Sequence, residues 1–144
     1  PGEPDEPRQD GTAEMTLESA EEFPRAFARL WGARDAEGLT ALVAEDAGML
    51  SLTGGWAEGR RAIHDLLRDE LAGSFSRSRL VTGKTWLRPL GPGAAVLHQR
   101  FVLSGLIDAE GHDMGRLAAI LTAVLTARND GWQAVSLQFS ALNG

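Results

Sequence analysis

The sequence predicts an α+β domain: three helices, then a mostly antiparallel sheet on which they pack. Three observations carry this expectation. Apolar residues recur at helical spacing as far as Leu71. After Ser74 the period changes to two in four long runs, roughly 76–88, 94–105, 115–128 and 132–142. Short turn-forming stretches separate those runs: Gly91-Pro92-Gly93, residues 108–113, and Asn129-Asp130-Gly131. Such spacing makes antiparallel hairpins, and helices followed by a strand meander is the pattern of a sheet with one face covered.

The elements follow in order. Residues 1–14 hold three prolines, two glycines and no large apolar side chain. They cannot bury enough surface to offset the entropy of ordering, so residues 1–15 read as a disordered acidic tail before a single domain over 16–144. Phe23, Phe27, Leu30 and Trp31 form one stripe of a first helix. Ser19 with Glu22 makes a capping-box pattern, and Pro24 falls where its missing N–H does least harm. Asp35 is placed to cap a second short helix carrying Leu39, Leu42 and Val43. Residues 48–52 read as a strand, 53–55 as a turn and 56–58 as a short return strand. Gly59 precedes a third helix with Ile63, Leu66, Leu67 and Leu71 on one face, and Gly73 is placed to end it.

Composition excludes several function classes. The net charge is −6. Residues 1–14 contain five acids and Arg8, hence −4 of that total, which leaves −2 for the rest. A nearly neutral domain with an acidic tail is a poor nucleic-acid binder. No apolar run approaches the roughly 18–20 residues of a membrane helix, so no membrane partner is expected. The absence of cysteine removes disulfides, thiolate metal sites and cysteine nucleophiles, and fits a cytoplasmic setting. His64, His98 and His112 are scattered without ligand spacing, so no metal is expected. No glycine-rich loop links a strand to a helix in the phosphate-binding form, and no nucleophile-elbow serine occurs. No cofactor is expected.

Four stretches carry a resemblance to a known superfamily. "FARLWGARDAEGLTALVAEDA" (27–47), "WAEGRRAI" (56–63), "LGPGAAVLH" (90–98) and "DGWQAVSLQFS" (130–140) occur in the order and spacing of the NTF2-like cone fold, in its SnoaL-like branch. Within that branch the chain most resembles the SgcJ/EcaC group of enediyne and polyketide biosynthesis proteins. The resemblance implies that the sheet is curved and mixed, that a homodimer forms through it, and that a cone-shaped pocket lies between helices and sheet. It does not imply one chemistry, because the superfamily spans isomerases, dehydratases, cyclases, hydrolases and pure binding domains. One departure concerns the penultimate strand. Many relatives carry an arginine two residues before a threonine, where this chain has Ile120 before Thr122.

Candidate site residues follow from parity on the strands. His98 is the natural proton carrier near neutral pH, against the plainer role of a structural histidine. Arg100 shares its face and could hold a carboxylate or an enolate, or could serve an ion pair. Together they are the candidate catalytic pair. Gln138 and Ser140 lie on one face of the last strand and would orient a ligand. Trp31, Trp56, Phe75 and Trp86 are either core or the walls for a flat, unsaturated ligand. The expected orientation has Gln138 and Ser140 facing the pocket and Leu137 and Phe139 meeting a partner subunit. Three function classes stay open. One is a cofactor-free enzyme acting on a hydrophobic polyketide intermediate. The second is a module that binds such a molecule without chemistry. The third is a structural dimer docking to a polyketide synthase.

Overall fold

The computed structural model describes residues 17–128 and 131–142. The predicted acidic tail, residues 1–15, and the turn residues Asn129 and Asp130 lie outside them. A 3₁₀ turn over Ala20–Glu22 leads into helix α1, Phe23–Gly32. Phe23, Phe27, Leu30 and Trp31 are all buried, as their spacing predicts. The predicted capping box does not form. Ser19 makes no side-chain cap bond, while the Glu22 carboxylate reaches back to accept from the backbone N–H of Glu18 at 3.2 Å. Helix α2, Ala36–Ala41, is capped as predicted: the Asp35 carboxylate accepts from the Gly38 N–H at 2.8 Å.

Strand β1, Val43–Leu50, starts at Val43 and not at Gly48. The early start was hidden by Glu45-Asp46, which fall at a register shift between Val43 and Gly48. A bulge breaks the alternation that marks a strand in sequence. Strand β2, Trp56–Glu58, returns antiparallel to β1. The Ser51 and Thr53 hydroxyls of this hairpin both donate to one oxygen of Glu70, at 2.8 and 2.6 Å. That pins the hairpin to helix α3, Arg60–Ala72. Gly59 before α3 has φ of 94°, a conformation that costs glycine nothing.

The four long strands are β3 (Arg79–Pro89), β4 (Ala94–Ser104), β5 (Leu117–Arg128) and β6 (Gly131–Ala141). They pair as successive antiparallel hairpins, and β1 joins β6 in parallel, so the sheet order is β2-β1-β6-β5-β4-β3. Among the described residues no helix is long and apolar enough to cross a membrane.

The helices cover one face of this sheet. Leu97, Phe101 and Leu103 from β4, Leu121 and Leu125 from β5, and Leu137 and Phe139 from β6 all point at them and are buried. This reverses the expected orientation. Phe139 does not meet a partner: its ring lies 6.0 Å from both Phe27 and Trp31 in the core. Gln138 and Ser140 do not face an enclosed pocket but are exposed on the other, open face. The physical reason is that parity says which side chains share a face, not which face the helices take. The helices take the larger apolar set, because burying it releases more structured water.

Candidate functional site

The space between helices and sheet is filled. Trp31, Phe75 and Phe101 are at most 2% exposed and pack closely against their neighbours. Phe27 sits 5.7 Å from Phe23, 5.9 Å from Trp31 and 6.4 Å from Phe101, and Trp31 sits 5.3 Å from Phe75. The Trp31 indole N–H donates to Ser78 Oγ at 2.8 Å, and that hydroxyl donates to the Phe75 carbonyl at 2.8 Å. The buried polar end of Trp31 is therefore satisfied. Of the two roles open to Trp31 and Phe75, core residue or ligand wall, both take the core one.

One buried polar side chain escaped the sequence reading. Gln99 lies on the inner face of β4 at 0% exposure. Its amide donates to the carbonyls of Gly83 and Arg100 at 3.1 and 2.8 Å, and its oxygen accepts from the Thr85 hydroxyl. These bonds satisfy the backbone where β3 shifts register between Thr82 and Thr85. The signal in sequence is a lone glutamine among inward-facing Leu97, Phe101 and Leu103.

The other six candidate residues lie on the open face. The strand register draws a row across all six strands: Trp86 opposite His98, His98 opposite Thr122, Thr122 opposite Gln138, Gln138 beside Leu50, and Leu50 opposite Trp56. At roughly 4.8 Å per strand the row spans about 24 Å. Arg100, Ile120 and Ser140 form the next row. His98 Nδ1 lies 3.1 Å from Thr122 Oγ1, which orients the ring. Among the described residues no carboxylate pairs with His98 or Arg100.

The row does not share one pocket. At its Trp86 end lies a cleft of about 920 Å³, open along its face, in which Trp86, His98, Leu90, Val96, Ile120 and Arg88 meet. Trp86 and Leu90 are 44% and 52% exposed there. The Lys84 ammonium sits 5.2 Å over the Trp86 ring, a cation–π contact that adds positive charge to the rim. Arg100, Gln138, Ser140 and Trp56 lie outside the cleft lining. Trp56 lies at the far end of the row, its indole N–H donating to Glu58 at 3.1 Å.

Two other features carry charge without joining these residues. A groove of about 760 Å³ runs between α2 and the start of α3, past Glu37, Glu45, Arg60, Arg61 and His64. Arg60 is already engaged there, donating to the Val43 carbonyl at 2.5 and 3.2 Å. Beside it the Asp65 carboxyl is held below its ordinary value of 3.8, first by the hydrogen bond from His64 and then by Arg68 and Arg61. In the β4–β5 connection the ligand atoms of Asp108, Glu110 and His112 lie within 4.8 Å of one another on the surface. There Asp108 Oδ1 accepts from the backbone N–H groups of Glu110 and His112, an ordinary turn arrangement.

No protein-family model and no curated protein matches this sequence. Solved structures do. The chain is similar to an uncharacterized protein with a cystatin-like fold from Caulobacter vibrioides, with a TM-score of 0.78 at 18% identity over 85% of this chain and 87% of that one. It is similar to an NTF2-like protein with a cystatin-like fold from Novosphingobium aromaticivorans, with a TM-score of 0.70 at 22% identity over 88% and 81%. It is also similar to a putative scytalone dehydratase from that organism, with a TM-score of 0.74 at 14% identity over 85% and 81%. The fold is the NTF2-like, cystatin-like fold, an α+β cone with a mixed six-stranded sheet. At these identities the likeness concerns fold alone.

Proposed function

We propose that this protein is a cofactor-free binding module that takes a hydrophobic small molecule into the open-face cleft. One observation carries the reading. The register sets Trp86 directly opposite His98, in a concavity whose other walls are Leu90, Val96 and Ile120. A cleft of this volume, apolar with a few polar groups, is what a drug-sized ligand needs. Exposed Trp86 offers a flat surface for a conjugated chain or ring. The sequence resemblance to the SgcJ/EcaC group supports a polyketide-type molecule as that ligand. If a reaction accompanies binding, His98, oriented by Thr122, would carry the proton. The neutral polyene diphenylhexatriene tests the binding. Its fluorescence should rise on mixing and should not rise with Trp86→Ser. No rise at high micromolar protein, or an unchanged rise in the variant, would remove the reading.

A second proposal concerns the rest of the open face. Val102 and Val124, which lie outside the cleft lining, are half-buried there with no helix over them. An uncovered apolar sheet face supports a homodimer formed through the sheet. Sedimentation equilibrium should give a dimer that Val124→Lys converts to monomer. A wild-type monomer at micromolar concentration would exclude it. Docking to a polyketide synthase is a separate proposal, tested by co-purification.

A further inference from the structure

The cleft has a sign. None of its lining residues is acidic, while Arg88 and His98 both line it and Lys84 stands over Trp86 at its rim. Among the described residues Arg88 has no carboxylate partner and makes no side-chain hydrogen bond. Its neighbours along the row are apolar: it lies opposite Val96, which lies opposite Val124. Arg88 is exposed on the edge strand beside these apolar walls, and without a counter-ion its guanidinium is free for one that arrives with a ligand, because its planar fork matches a carboxylate with two parallel hydrogen bonds. Thr122 takes up one ring nitrogen of His98 and leaves the other to donate or accept in the cleft.

We infer that the ligand of this cleft is a hydrophobic carboxylate, its chain or ring against Trp86, Leu90, Val96 and Ile120 and its carboxylate on Arg88, with His98 as second partner. Arg88 is then a specificity-determining residue that parity and motif did not single out. This inference rests on the binding function proposed above and narrows it to a chemical class. A carboxyl-bearing molecule of this kind is the product of a step that frees an acid, such as thioester hydrolysis, or the substrate of one that consumes it.

The test uses two probes with one chromophore: diphenylhexatriene and its propionic acid derivative, each titrated into the whole protein at pH 7 and low salt. The acid should bind at least tenfold more tightly. Arg88→Gln should erase that difference, with an unaltered thermal midpoint showing that the variant is folded. Arg88→Lys should restore part of it. Equal affinities for the two probes in wild type, or an unchanged preference in Arg88→Gln, would overturn the carboxylate inference while leaving binding intact. Failure of both probes would remove the binding reading itself, and this inference with it.

Discussion

The two faces of the sheet are made from alternate residues of the same strands, yet they do different work. The inner face carries Leu97, Phe101, Leu121, Leu125, Leu137 and Phe139 and is sealed by Phe23, Phe27, Trp31 and Phe75. The outer face carries His98, Arg100, Thr122, Gln138 and Ser140 among half-buried valines and Ile120. The fold alone would place a ligand inside the cone. In this chain the aromatic side chains that could have lined such a cavity fill it instead. The inner face is committed to packing, and the binding site proposed above lies on the outer one.

Adjacent residues on one strand break this comparison most sharply. Phe139→Ala should cost about 3–5 kcal/mol, the usual loss for truncating a buried phenylalanine. Gln138→Ala, one residue away, should stay within about 0.5 kcal/mol. Urea denaturation of the two variants measures the difference, and similar losses would mean that the faces are not distinct. A smaller effect sharpens the picture at Gln99, a buried polar side chain on the inner face. Gln99→Leu leaves the Gly83 and Arg100 carbonyls without their donor and should cost about 1–3 kcal/mol. Amide exchange should then speed up first around Gly83–Thr85, where β3 shifts register. The smallest effect lies away from both faces. The Asp65 carboxyl has a lowered pKa in the folded protein, so its contribution is present above pH 3.8 and is lost as the pH falls through the lower folded value. Asp65→Asn should be slightly less stable than wild type at pH 7, and the two should converge in acid. A gap that widens as the pH falls would contradict the assigned cause.

Much of the fold was legible because its signals are local. The stripe from Phe23 to Trp31, the Asp35 cap and the parity of the long strands each depend on residues close in sequence. The start of β1 was not legible, because a bulge at Glu45-Asp46 breaks the alternation that marks a strand. The candidate site was half legible. Parity grouped His98 with Arg100 and Gln138 with Ser140, and the structure keeps each pair on one face. What parity cannot supply is the covering layer. That depends on which apolar set buries more area against helices that lie far earlier in the chain. Trp31 and Phe75 stayed open between core and ligand wall for the same reason: an aromatic residue reads alike whether it lines a cavity or fills one. Arg88 was missed because nothing local distinguishes it from the other arginines. Its meaning comes from Leu90, Val96 and Ile120, brought beside it only by the pairing of β3, β4 and β5.

Resonance assignment with titration of the carboxylated diphenylhexatriene probe tests most directly whether the outer face has replaced the inner one as the ligand surface. The predicted result is a set of shifts at the Trp86 indole N–H and at the amides of Arg88, Val96, His98 and Ile120, with the Trp31 indole N–H and the Phe101 amide unmoved. Shifts at Trp31 and Phe101 with none at Trp86 and His98 would contradict it, and would mean that the packed cone opens to take the ligand.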